Sequence, residues 1–269
     1  MADSLVRCVE IWWQAVDDLS TLLETLAPDD WSVPTDLAGW DVHAVAAHSA
    51  HLEALLAGAA HDEVEIGEAA HVTGFLGQFT EQGVVARRDR SPDELITELR
   101  SSATTRHTAL LADPPTDPDA PAPGVFGLIG WSTETLLRNR PLDLWMHEQD
   151  VRRAVGRPGN LDGPAAVHTA DYLAESLGFV LAKRAGATPG STAVLSITGH
   201  PPYSFRVNDR GRGERLDGEP AEPTVRLAMD RDTFIRLAGG RRPAEPGAVE
   251  LAGDPELGQR VVDGLAVTP

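Results

Sequence analysis

Cysteine occurs once in the 269-residue chain, at position 8. A single cysteine closes no internal disulfide and excludes a cysteine-rich zinc site, so any bound metal must be held by histidine and carboxylate. Cys8 falls in an apolar helical stretch and reads as a small buried hydrophobe, not a reactive thiol. Positive charge is also scarce: 23 Lys and Arg stand against 41 Asp and Glu, a net charge of -18. Nucleic-acid binding depends on Lys and Arg displacing counterions from phosphates, so DNA and RNA are not expected partners. No apolar run approaches the roughly 18 residues that a membrane span needs. The N-terminus "MADSLVRCVEIWWQ" has neither the basic region nor the apolar core of a signal peptide. These absences predict a cytoplasmic protein with no membrane or nucleic-acid partner.

The length accommodates two domains, each with a core of its own. Leu5, Val9, Trp12, Val16, Leu19 and Leu23 recur at helical spacing and predict a helix over 4–27. A second, over 42–57, has Asp41 as N-cap, with Trp40 and Val45 placed as a hydrophobic staple. Residues 61–90 have no clear period. "SPDE" at 91–94 is a capping box with proline in the first helical turn and predicts a third helix over 92–112. A proline-rich loop follows. A fourth helical pattern spans 131–155, where Pro141 either begins a new helix or kinks a continuous one. A fifth helix, opened by Asp162 or Gly163 with Pro164, runs through "PAAVHTADYLAESLGFVLAKR". The texture then changes. "STAVLSIT", "YSFRVN", "TVRLAM" and "AVELAG" read as strands, and "DRDTFIRLAGG" and "DPELGQRVVDGL" as capped helices. The expected class is α+β: a helical bundle over 1–187 and a smaller α+β domain over 188–269.

The segment "PLDLWMHEQDVRRAVGR" carries the densest chemistry. On a helix, Asp143, His147 and Asp150 share one stripe beside Leu144, Met146 and Val151, facing inward, where unpaired charge is costly. A carboxylate and an imidazole one turn apart can converge on one cation, and a tightly held divalent ion needs at least one more ligand. The second helix offers His43, His48 and His51. His48 is the best placed to face a neighbouring helix, since Ala44, Val45, Leu52 and Leu55 lie near its side. The candidate metal set is therefore His48, Asp143 and His147. Glu148, Arg152 and Arg153 are expected to be solvated charge with pairing from Glu148 to Arg152. His61, His71, His107, His168 and His200 show no ligand spacing and are expected to be structural or exposed.

"GWDVHAVAAHSAH", "RNRPLDLWMHEQDVRRAVGRPG" and the ending "LAGGRRPAEPGAVELAGDPELGQRVVDGL" together resemble the mycothiol-dependent maleylpyruvate isomerase family. The resemblance implies a DinB-like up-down four-helix bundle joined to a small C-terminal α+β domain. It implies a divalent metal, zinc above all, on His48, Asp143 and His147. The family's isomerase pattern has glutamate where this chain has the shorter Asp143. Asp150 matches a supporting acid that orients a ligand. Arg241, or its neighbour Arg242, matches an arginine that holds an anionic substrate group.

Two imidazoles and one carboxylate leave a divalent ion with net positive charge and an exchangeable position. Such an ion lowers the pKa of bound water or thiol. The expected activity is isomerisation or S-transfer on a small electrophile, using mycothiol or a similar low-molecular-weight thiol as cosubstrate. Addition of thiolate to a double bond, rotation and elimination would isomerise a cis alkene; addition alone would be thiol transfer. The alternatives are a hydrolase using metal-bound water and a non-catalytic binding or regulatory module. The ligand set also suits iron or nickel.

Overall fold

The computed structural model describes residues 2–268, which divide into two compact units after Asn160. The N-terminal unit is built on four long helices: α1 (Ala2–Glu24), α2 (Val42–Leu56), α4 (Pro92–Ala112) and α6 (Thr133–Ala154). Both α1 and α2 pack against α4 and α6, so consecutive α1 and α2 stand at opposite corners of the bundle. The region without clear period, 61–90, is irregular at first and then forms α3 (Gly74–Val85), which packs on α2. The proline-rich connection before α6 contains one short helix, α5 (Gly124–Leu128).

Local signals set the helix starts. Asp41 accepts from the Ala44 amide at 2.8 Å. Ser91 and Glu94 form the reciprocal capping box, with the Ser91 amide donating to Glu94 at 2.7 Å. Pro141 lies inside α6, which continues through it, so no new helix begins there. Helix α2 is buried from Val42 to Ala54 except at His43. Its run of alanines lets three neighbouring helices approach closely, and whatever polar side chain it carries must find a partner inside the bundle. Cys8 is buried, as its apolar surroundings require, and burial pushes its thiol pKa up.

The C-terminal unit contains α7 (Pro164–Ala174), the short α8 (Leu177–Phe179) running into a π-helical turn at Val180–Arg184, and a five-stranded sheet. Its strands are β1 (Thr192–Ile197), β2 (Tyr203–Val207), β3 (Gly213–Arg215), β4 (Val225–Met229) and β5 (Glu250–Gly253), in the order β3-β2-β1-β4-β5. β1 and β4 are parallel and the other pairs antiparallel. α9 (Arg231–Ala238) packs on α7, and α10 (Pro255–Asp263) packs on β4 and β5. The four strands read from the sequence are all present. The three-residue β3 is additional and too short and polar to carry an alternation signal.

The division between units falls after Asn160, one helical segment before the 187/188 boundary expected from the change of texture. The physical reason is that α7 and α8 belong to the sheet's core: α7 packs on α9, and α8 packs on β2 and β3. Amphipathic periodicity reports that a helix buries one face, without reporting against what.

Candidate metal centre

His48 reaches the bundle interior from α2, and Asp143 and His147 reach it from one stripe of α6. One ligand atom from each lies within 4.8 Å of the others, and among the described residues this is the one such group of three. Asp143 is the common neighbour: its Oδ2 is 3.7 Å from His48 Nε2 and its Oδ1 is 3.6 Å from His147 Nε2. Both separations exceed hydrogen-bond length. They approach the edge, about 3.3 Å, of a tetrahedron with metal–ligand bonds of about 2.0–2.1 Å. The two imidazoles are 4.8 Å apart, edge to face, and Trp40 packs 5.0 Å from His48. Both histidines are only 5% exposed, so they sit in a largely dry pocket. His48 Nδ1 has no hydrogen-bond partner among the described residues. The donor set and its spacing fit a divalent ion.

The surrounding charges prepare this arrangement. His147 Nδ1 lies 3.3 Å from Asp150 Oδ2, so an Nδ1–H donated there leaves the Nε2 lone pair facing His48 and Asp143. Asp150 is fully buried and accepts from Arg153 at 2.6 Å, and Arg153 also donates to Asp36 at 3.1 Å. Arg140 donates to Asp143 at 2.9 Å. Burial alone would raise the Asp143 carboxyl, yet the Arg140 and His147 charges hold it well below the usual carboxylate range. Burial pushes His48 down against the opposing pull of Asp143. At His147 burial acts in the same direction, but the Asp143 and Asp150 carboxylates overcome it and the pKa rises.

The three proposed ligands and Asp150 are therefore brought together. Arg241 lies in the other unit, where it donates to the Gly239 carbonyl at 2.7 Å and, with Arg242, lines a cavity of about 560 Å³. His43 faces the Arg90 carbonyl at 2.8 Å, and His51 meets Arg87 at 3.2 Å. Both belong to other contacts, as the facing argument for His48 requires. His61 stacks on Phe79, His71 meets Glu81 at 3.2 Å, His107 stacks on Trp13, and His200 meets Asp171 at 2.7 Å.

The expectation of solvated charge on the far face of α6 needs correction. Glu148 is fully buried, accepting from Arg152 at 2.7 Å and from Asn160 at 2.7 Å, and burial raises its pKa. The Glu148–Arg152 pairing holds, but the 157–160 segment folds over it, supplying Asn160. Arg153 is likewise committed to Asp150. Sequence reasoning also missed Arg140 and Glu53. An arginine three positions before a candidate acid was an available signal for the first; nothing local marks the second.

Residues 12–152 match the family model described as the mycothiol maleylpyruvate isomerase N-terminal domain, and residues 167–260 match the corresponding C-terminal domain model. The crystal structure of the mycothiol-dependent maleylpyruvate isomerase resembles this chain with a TM-score of 0.57, 18% identity, and coverage of 94% of this chain and 95% of that one. The structure of a histidine-to-alanine mutant matches with the same TM-score and coverage at 17% identity. These likenesses establish a shared fold. No curated protein sequence matches the chain.

Proposed function

The chain belongs to the mycothiol maleylpyruvate isomerase family, and from that premise we propose that it is a metal-dependent enzyme using a low-molecular-weight thiol to isomerise a small electrophile or to add that thiol to it. The observation that carries this reading is the convergence of His48, Asp143 and His147 on one point of the buried bundle interior. These residues would hold a divalent metal, zinc by its preference for two imidazoles and a carboxylate. The ion, when bound, supplies positive charge that keeps a thiol ionised near neutral pH.

The chain's own residues do the rest. Asp150 accepts the His147 Nδ1 proton and fixes the tautomer that leaves Nε2 free. Burial favours neutral His48, which keeps its Nε2 lone pair available. Arg140 keeps Asp143 ionised and engages one of its two oxygens. Trp40, anchored through its indole N–H to Glu81 at 2.9 Å, walls the two imidazoles and limits the entry of water. With Cys8 buried, the reactive sulfur must arrive with a cosubstrate. Arg241 is the candidate for holding an anionic substrate group, and Arg241→Ala should then raise KM more than it lowers kcat.

Metal analysis after purification without chelator tests this reading, with mycothiol added to and omitted from an activity screen on electrophilic alkenes. About one metal ion per chain and a rate that depends on thiol are expected, and His147→Ala should lose the metal while remaining folded. A metal-free protein whose melting temperature ignores chelator would overturn the metal assignment. A metal-dependent rate indifferent to thiol would instead identify a water-using hydrolase.

A further inference from the structure

Glu53 contributes no atom to the candidate metal cluster, yet all four long helices of the bundle meet on its carboxylate. Trp12 of α1 donates its indole N–H to Glu53 Oε1 at 3.0 Å, and Arg106 of α4 reaches Oε2 at 3.4 Å. Arg140 of α6 donates from Nε at 3.1 Å and from a terminal nitrogen at 2.8 Å, both to Oε1. Its other terminal nitrogen donates to Asp143 at 2.9 Å. Glu53 is fully buried and Arg140 is 1% exposed, so neither exchanges these partners for water. Arg106 also lies over the Trp12 ring, 4.6 Å from its centre, which closes the node.

We propose that Glu53 is a positioning residue that acts through Arg140 to hold Asp143 in the orientation a metal ion requires. The inference rests on the reading that His48, Asp143 and His147 bind a metal. A guanidinium is a planar fork with fixed donor directions. Once two of its nitrogens are committed to Glu53, the direction of the third is set, and with it the position of the Asp143 oxygen that accepts from it. Asp143 has a short arm, and one of its oxygens is already within 3.7 Å of His48 while the other is 3.6 Å from His147. A small rotation would remove it from one imidazole or the other. Helix α2 therefore supplies the ligand His48 directly and, through Glu53, the orientation of the ligand on α6. The two halves of the site are tied by a second route besides the ion.

The test measures Zn²⁺ affinity by competition with a chromophoric chelator, the visible spectrum of the Co²⁺-loaded protein, and thermal unfolding without metal. Glu53→Gln keeps the shape and all three ligands; its affinity should fall roughly 10- to 100-fold, the range for partners that orient a ligand, and the Co²⁺ spectrum should change. Trp12→Phe removes one of several donors to Glu53 and should lose less. Arg140→Lys retains the buried charge without the fork, so it should also bind weakly, and it carries the test if Glu53→Gln does not fold. Native affinity and an unchanged Co²⁺ spectrum in folded Glu53→Gln or Arg140→Lys would show that the node only stabilises the bundle and would overturn the proposal. Failure of the wild-type protein to bind either ion would sink the metal reading itself, and this proposal with it.

Discussion

The two units surround different interiors. The N-terminal bundle buries His48, His51, Glu53, Arg87, Arg106, Arg140, His147, Glu148 and Asp150, whereas among the described residues of the C-terminal unit the buried polar groups are Thr169, Ser204, Thr233 and the His200 side chain, with Tyr203 beside it. A fold has no need of ionised groups in its core, as the sheet unit demonstrates with Val194, Leu195, Leu227 and Phe234. Each buried charge costs desolvation that its partners must offset. The bundle carries these groups as connected chains: Glu53 to Arg140 to Asp143, His147 to Asp150 to Arg153, and Asp62 to Arg87 to Glu98. The first two chains end on the candidate cluster, so the buried charges lead to the place where, among the described residues, one carboxylate and two imidazoles come together.

The largest effect that would sharpen this contrast is Glu53→Leu. It strands Arg106 and Arg140 without their shared anion, and the bundle's unfolding free energy, measured by denaturant titration, should fall by about 3–5 kcal/mol. A loss under about 1 kcal/mol would mean that the arginines find other partners and the bundle core is less committed than its geometry implies. In the C-terminal unit, Leu227→Ala should cost about 2–5 kcal/mol through lost burial and a cavity, with metal content unaltered. A coupled loss of metal would break the separation of roles between the units.

Acid should act on the bundle first. Burial pushes the His51 imidazole down to about 3, with the Arg87 guanidinium reinforcing the push. The unfolded chain takes up this proton below about 6.5, while the folded chain resists it until about 3. His51 thus contributes stability that is full above about 6.5 and is lost as pH falls towards about 3. Thermal melts between pH 7 and pH 4 should show that His51→Gln flattens the pH dependence relative to wild type; parallel curves would remove His51 as a source of acid sensitivity. Gly83 belongs to the same contact, because any side chain there would collide with the His51 ring. The smallest effect lies in the sheet unit, where Asp230 caps α9 by accepting from the Thr233 amide at 2.8 Å. Asp230→Ala should cost about 0.5–2 kcal/mol in an unfolding titration and leave the pH profile of the bundle untouched.

Helix starts, strands and the shared stripe of Asp143 and His147 were legible because each rests on short-range chemistry. Asp41 and Ser91 are capping residues whose partners lie three positions on. Asp143 and His147 are one turn apart, and the period of the helix alone places them on the same stripe. His48 was named for its apolar flank, Ala44, Val45, Leu52 and Leu55, although His51 on the same helix is buried as well. Glu148 was misplaced for the converse reason. Its helical position is on the face opposite the ligands, and no pattern within α6 announces that the 157–160 segment returns to cover it. The boundary between units was displaced because α7 has the amphipathic period of a bundle helix while packing against α9.

What the sequence determined by itself is therefore the set of elements, the exclusion of thiol ligands and the stripe that bears Asp143 and His147, all consequences of residue type and helical or strand period. Only the tertiary structure decided which charges would be buried, that Glu53 would meet Arg140 across 87 positions of chain, and that His48, not the similarly buried His51, would stand beside Asp143 and His147. These depend on distances between elements far apart in the chain, and such distances are set by how whole faces pack, not by any local preference of the residues that meet.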